Sequence, residues 1–414
     1  MAEGPELQAW LNRLHSFSRN EIELGLDRVQ RVLDRLSPSL PDRVLTVGGT
    51  NGKGSTVACL ASILQQSGEA CGVYTSPHLQ RYNERIRLDG HLASDDDVIE
   101  GFEAVEAARG DVPLTYFEFG TLAALACFSK ASLDVLVLEV GLGGRLDAVN
   151  AVEPSASLIT NVALDHGDWL GDTIPMIARE KAGIMRAGKP AVFASVEVPD
   201  VIVEHAEKLG ADLRIAGKDY NWARIGDGRW RFEGGRHALD SLSLPALEGD
   251  YQLGNAAGAL ALLDSTGSLL DVDAVDRALR GLSVPGRMQR HGNWLFDVAH
   301  NPAAARALAT TLAQERPAAR RVAVLGMLGD KDINAVLAEL SPVVDHWIVV
   351  EAVSPRALSA QELSTRIGQV SDAICTEATS IDDAVERAKG SRADRILVTG
   401  SFFVVGPVQQ ALGL

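Results

Sequence analysis

Cysteine is scarce in this chain: four residues in 414, at positions 59, 71, 127 and 375, each inside an apolar run and none in a CxxC pair. That spacing excludes a disulfide framework and a cysteine-held zinc site, and it reads as buried free thiols. No run approaches the ~18 uncharged apolar residues of a membrane helix. The start, MAEGPELQAWLNRL, is acidic and mixed where a secretory leader is basic and then apolar. Both absences point to a cytoplasmic protein. Positive charge is also short, since 39 Lys and Arg face 55 Asp and Glu for a formal charge of −16. Such a surface repels nucleic acid and anionic membranes, so neither is an expected partner. If phosphates or carboxylates are the substrates, glycine amides, lysines and metal ions must reverse that field locally.

What is present is an apolar content of 46%, enough for full cores, with no repeat and no low-complexity segment. Short β-branched runs alternate with amphipathic helical ones, which is the pattern of parallel sheets covered by helices, an α/β protein. The clearest strands are 43–47, 71–75, 134–140, 157–162 and 190–195, apolar along their length as strands buried on both faces are. A second series follows the turn-rich SVPGR of 283–287, with strands at 294–298, 321–327, 346–350 and 395–399 and a helix at 302–314. The expected domains are therefore 1–284 and 285–414. The segment 211–246, containing GDGRWRFEGGRH, reads as a small antiparallel sheet appended to the first domain.

The stretch VLTVGGTNGKGS, residues 44–55, nearly spells a phosphate-binding loop. The usual pattern has a glycine six residues before the lysine and Ser or Thr directly after it; Val47 and Gly54 hold those places. The context is right, however: a buried strand, a glycine-rich turn and a helix ended by Gly68 aim backbone N–H groups at an anion, while Lys53 brings a mobile charge. An ordinary strand-to-helix turn is the plain alternative.

Other polar groups gather at strand ends, where open parallel sheets bind ligands. Glu139 closes the strand of LEVGLGGRLDAVN and has the chemistry to ligate Mg²⁺ accompanying ATP, or to cap the next loop. His166 stands just past the strand of TNVALDHGDWLGDT, as a ligand or as a satisfied structural histidine. Lys181 of IAREKAGIM sits on a short helix beside Glu180, where a solvated face is the plain reading. Asp297, His300 and Asn301 end the strand of LFDVAHNPAA, with a helix cap by Asn301 as the alternative.

In order along the chain, GTNGKGS, TSPHL, TYFEFGTLAAL, LEVGLGGRLDA, LDH, EKAGI, YQLGNAA, VPGR and DVAHNP resemble the folate branch of the Mur ligase superfamily, from IELGLDRV at 22–29 to the final LVTGSFFVVG. That superfamily uses a shortened GTxGK loop, often with the extra glycine found here. The resemblance implies a Mur-ligase-type P-loop domain with a mostly parallel sheet, followed by a Rossmann-like C-terminal domain. It implies an ATP-dependent ligase that activates a carboxylate as an acyl phosphate and joins it to glutamate, on dihydropteroate and on folates in bifunctional members. Carried over by motif, Gly49, Thr50, Asn51, Gly52, Lys53, Gly54 and Ser55 hold the ATP phosphates. Asn255, Arg287, Asp297 and His300 are further nucleotide contacts, and ATP is expected between the domains. Ser76, Glu139 and His166 match the family's Mg²⁺ ligands, with two ions expected; Lys181 matches a lysine that is carbamylated in the family and then joins a second Mg²⁺. Lys53, Glu139, His166 and Lys181 form the expected catalytic set. Thr115, Tyr116, Phe117 and Glu118, with Leu146, Asp147 and Ala148, match the pterin contacts, and an aromatic face and a carboxylate suit a flat amino-pterin.

Other Mur-type ligases carry an N-terminal domain for which too little chain precedes residue 48, and a monofunctional polyglutamylating relative differs mainly at 115–118. A relative that has lost catalysis is disfavoured by the presence of all the motif residues, and a switch protein by the lack of an NKxD motif. Monomer is the expected state.

Overall fold

The computed structural model describes residues 3–17, 23–315 and 320–414; Ile22, which opens the IELGLDRV stretch, lies outside them. The strands are β1 (Val44–Gly48), β2 (Cys71–Tyr74), β3 (Ile86–Leu88), β4 (His91–Leu92), β5 (Val135–Glu139), β6 (Ala156–Ile159), β7 (Pro190–Phe193) and β8 (Asp212–Ile215) in one eight-stranded sheet, ordered β4-β3-β2-β5-β1-β6-β7-β8. Every neighbour pair from β2 to β8 is parallel, and only β3 and β4 run antiparallel at one edge. The middle strands VLTVG and VLVLE are buried at every residue, in keeping with sequences that are apolar apart from Thr46 and the terminal Glu139. On one face the helix Tyr116–Lys130 is buried from Glu118 to Phe128. Its Phe119 and Phe128 join Phe102 and Tyr82 in a core where each fully buried aromatic contributes ~1.5–3 kcal/mol.

Register positions the site. β1 pairs with β5 so that Val47 lies beside Glu139, and with β6 so that Gly48 lies beside Ile159. The loops that leave these three strands at their carboxyl ends are therefore neighbours.

Strands β9 (Asn221–Gly226), β10 (Arg229–Glu233) and β11 (Ala238–Ser243) form a separate three-stranded antiparallel sheet. The small sheet expected over 211–246 is thus corrected at its start. DLRI at 212–215 joins the large sheet as its parallel edge strand; an edge with one solvated face accepts the charged residues that made it read otherwise.

The remaining strands, β12 (Gln289–His291), β13 (Trp294–Phe296), β14 (Arg321–Leu325), β15 (His346–Val349), β16 (Ile374–Glu377) and β17 (Arg395–Thr399), make a six-stranded sheet ordered β12-β13-β17-β14-β15-β16, parallel except for β12. Two compact units result: one of residues 1–162, 172–246 and 253–282, the other of 163–171, 247–252 and 283–414. This corrects the continuous 1–284 expectation. Segments 163–171 and 247–252 belong with the second unit because their charged side chains pair there, Asp165 with Lys331 and Glu248 with Arg290.

Three of the cysteines are buried and Cys375 half-buried, all as free thiols. Among the described residues no helix is long and apolar enough to cross a membrane.

Candidate active site

β1 leads into Gly49-Thr50-Asn51-Gly52, and the helix Lys53–Gln66 starts at once. Both loop glycines are required. A Cβ on Gly49, at φ +140°, would lie 1.8 Å from Thr160 Oγ1, and one on Gly52, at φ +85°, 2.5 Å from Asn255 Oδ1. The loop is stapled to the chain after β6. Asn51 N donates to Asn161 Oδ1 (3.0 Å), while Asn161 Nδ2 (2.9 Å) and Thr160 Oγ1 (2.6 Å) donate to Asn51 O. Thr50 N donates to Asn161 O at 3.1 Å. Lys53 curls over the loop, its Nζ donating to Gly49 O (3.1 Å) and Thr50 O (3.2 Å). Gly54 and the buried Ser55 complete the first helical turn. A fixed amide loop, a helix N-terminus and an ammonium form an anion cradle.

Beside it stands Glu139, 4% exposed at the end of β5. Its Oε2 accepts Ser76 N at 3.2 Å, and a Cβ on Gly54 would lie 3.8 Å from the same oxygen. Among the described residues no three His, Cys, Asp or Glu side chains gather as a metal cluster. The oxygen donors of Glu139 and the Ser76 side chain nevertheless fit a hard divalent cation against a phosphate loop.

The glycine-rich loop after β5 is closed by Asp147, whose carboxylate accepts Leu142 N (2.7 Å) and Val149 N (3.0 Å). Burial pushes its carboxyl up to about 7, against those hydrogen bonds and the charge of Lys53. Ala148 opens a buried 3₁₀ turn, and Leu146 O accepts Gly25 N at 3.4 Å. The same loop lies on the helix Ile174–Ala182: Arg145 N donates to Glu180 O (2.8 Å), and its guanidinium pairs with the Glu180 carboxylate (2.9 Å). Lys181 is buried, so the solvated-face reading of this lysine does not hold.

His166 belongs to the second unit, as does His300. There Asp165 gathers Lys331 Nζ (2.7 Å), Asn301 Nδ2 (3.0 Å) and His300 Nε2 (3.6 Å), and Lys331 Nζ is 3.3 Å from His166 Nε2. Lys331 and Asp165 are 6% and 7% exposed. Burial alone would raise the Asp165 carboxyl, but the hydrogen bond from His300 and the charges of His166, His300 and Lys331 hold it well below the usual carboxylate range. Asn301 makes the helix cap given as the plain alternative, its Oδ1 accepting Ala304 N (2.9 Å) at the start of the helix Pro302–Ala313, while its amide donates to Asp165. Nearby, the buried Asp297 accepts Met288 N (3.0 Å) and Ala299 N (2.9 Å). Burial raises its carboxyl, opposed first by Arg287, whose guanidinium lies 5.3 Å over the Phe402 ring.

In the pterin-type stretch, Thr115 caps the helix Tyr116–Lys130 through Glu118 N, and Glu118 Oε2 accepts Thr115 N at 2.7 Å. The other Glu118 oxygen accepts Arg28 Nη2 at 2.9 Å. The carboxylate expected to face a pterin amino group thus already holds the helix start and an arginine. Tyr116 stacks on His15 at 4.5 Å, while the half-buried Phe117 lies against Gly141 with its ring 6.2 Å from that of Tyr74.

Thr160, Asn161, Arg28, Asp165 and Lys331 were not singled out from the sequence. Thr160, Asn161 and Asp165 lie within TNVALDHGDWLGDT and Arg28 within IELGLDRV, stretches quoted for other residues, while Lys331 stands in no quoted motif.

Residues 47–263 match the Mur ligase middle domain, and residues 286–402 the glutamate ligase domain of Mur ligases. The chain is 42% identical over 98% of its length, and over 95% of the relative's, to the dihydrofolate synthase/folylpolyglutamate synthase of Escherichia coli. It superimposes with a TM-score of 0.93 and 40% identity on E. coli FolC in complex with DHPP and ADP, covering 98% of this chain and 97% of that one. A bifunctional folylpolyglutamate synthase/dihydrofolate synthase with Mn, AMPPNP and L-glutamate bound is 42% identical with a TM-score of 0.90, covering 99% and 98%.

Proposed function

The chain belongs to the Mur ligase family, in its dihydrofolate synthase/folylpolyglutamate synthase branch, and from that membership we propose how its residues divide the work. It is an ATP-dependent carboxylate–amine ligase. It joins L-glutamate to 7,8-dihydropteroate and to the γ-carboxylate of tetrahydrofolyl-(poly)glutamate, through an acyl phosphate. It uses a divalent metal ion; that the ions are two Mg²⁺, and that Lys181 is carbamylated to help hold one, are proposals. So are its place in the cytoplasm and its action as a monomer.

The observation that carries the reading is the stapled phosphate loop with a buried carboxylate against its first turn. The amides of Gly52 to Ser55, at the start of the helix, receive the ATP phosphates, while those of Thr50 and Asn51 hold the loop to Asn161; Lys53 leaves the carbonyls of Gly49 and Thr50 for the phosphoryl group in transfer. Glu139 and Ser76 hold the metal ion, which when bound neutralises phosphate charge. Phe117 offers its face to the pterin, and Asp147 fixes the loop beside it. The protein's contribution is mainly position and charge.

The test is glutamate-dependent ADP release by the purified protein with Mg-ATP, with dihydropteroate in one reaction and tetrahydrofolate in the other. Turnover with both is expected. Turnover with tetrahydrofolate alone would restrict the enzyme to polyglutamylation, and silence with both would move the chemistry to another acid.

A further inference from the structure

We infer that Gly141 is a positioning residue for the pterin acceptor, because its missing side chain is the space in which the Phe117 ring lies. The inference rests on the assignment of Phe117 to the pterin. A Cβ on Gly141 would lie 2.4, 2.7 and 3.0 Å from Phe117 Cζ, Cε2 and Cε1. The three nearest atoms are thus all at the far end of one ring. Gly141 does not need a glycine's backbone freedom, since it is absent from the residues with positive φ. Its lack of a side chain is therefore spent on that ring.

Both sides of the contact are anchored. Gly141 stands two residues beyond Glu139, in a loop that Asp147 clasps at Leu142 N. Phe117 is in the first turn of its helix, where Thr121 Oγ1 donates to Phe117 O at 2.9 Å and the Thr115–Glu118 pair fixes the helix start. With both backbones held, an added methyl must turn the ring. The ring is half-buried, so it has solvent to turn into, and the fold should survive. Gly144, three residues on, differs: a Cβ there would lie 2.9 Å from Glu180 O and 3.3 Å from Lys181 Cα, so it would press on the backbone of the Lys181 helix.

The experiment compares Gly141→Ala, Phe117→Leu and the double variant, as full-length protein, by KM for dihydropteroate and KM for ATP in the ADP-release assay. Gly141→Ala should raise the KM for dihydropteroate roughly five- to tenfold, the scale of one misplaced aromatic contact, with the KM for ATP unchanged. In the Phe117→Leu background it should add nothing, because the ring it displaces is gone. A parallel rise in the KM for ATP, or a full additional loss in the double variant, would overturn the inference. If Phe117→Leu leaves the KM for dihydropteroate unaltered, the assignment of Phe117 fails instead, and is seen to fail separately. Should Gly141→Ala not fold, recovery of folding in the double variant would support the ring contact, and continued failure to fold would sink it.

Discussion

The phosphate loop of the first unit and the Asp165 cluster of the second are both polar arrangements at strand ends, yet they are held by opposite means. The loop is stapled by neutral groups, an asparagine amide, a threonine hydroxyl and backbone, with short contacts enforced by glycine. The cluster is held by charge, a buried ammonium on a buried carboxylate with two imidazoles beside them. A site that must accept a polyphosphate gains from a neutral frame, because its mobile cation, Lys53, rests on the backbone carbonyls of Gly49 and Thr50, which it can leave for the ligand. A cluster built on ions is strong when complete and costly when one partner is lost.

Removing the mobile cation tests the contrast most severely. Lys53→Ala should lower kcat/KM with both pterin acceptors by on the order of 10³ or more while the melting temperature hardly moves, because the bonds that tie the loop to Thr160 and Asn161 do not involve the lysine. A collapse of stability would show the lysine to be part of the frame. Next, Asp165→Ala leaves the Lys331 ammonium buried without its carboxylate and should cost ~3–5 kcal/mol in urea unfolding. Asn161→Ala, which removes neutral hydrogen bonds, should cost ~1–3 kcal/mol and raise the KM for ATP. Equal losses from these two would erase the distinction between neutral and ionic support.

The smallest effect is a slope. Asp147 has a folded pKa of about 7, above the ~3.9 of an unfolded aspartate, so its contribution is fully present below pH ~4 and declines as pH rises toward 7, then levels off. Urea titrations between pH 4.5 and 8 should therefore show the stability of the native protein falling relative to that of Asp147→Asn, with no further change above about pH 7. A difference that does not vary with pH would mean that the carboxyl is already ionised throughout.

The central strands and the phosphate loop were legible because their signal is local: β1 and β5 are mostly apolar runs, and the glycine-lysine turn is contiguous. Edge strands β12 and β16 were missed and β8 was given to the wrong sheet, since one solvated side lets polar residues break the pattern. Asn161 was passed over although it lies in a quoted motif, because its bond to Asn51 spans 110 residues and depends on β6 lying next to β1. Glu118 was read as a carboxylate for a pterin amino group. Its engagement with Arg28, 90 residues away, is a fact of packing that no spacing rule contains.

The membership of segment 163–171 in the second unit also imposes an order in time. Asp165 leaves the ribosome 166 residues ahead of Lys331, an interval of roughly 10 to 30 seconds at ordinary rates of synthesis. Until then its carboxylate has no ammonium to pair with, and the segment has no finished surface to join. The first unit can close its sheet early, but this loop has to wait for the far end of the chain, so a nascent protein stalled before residue 331 would carry it unplaced.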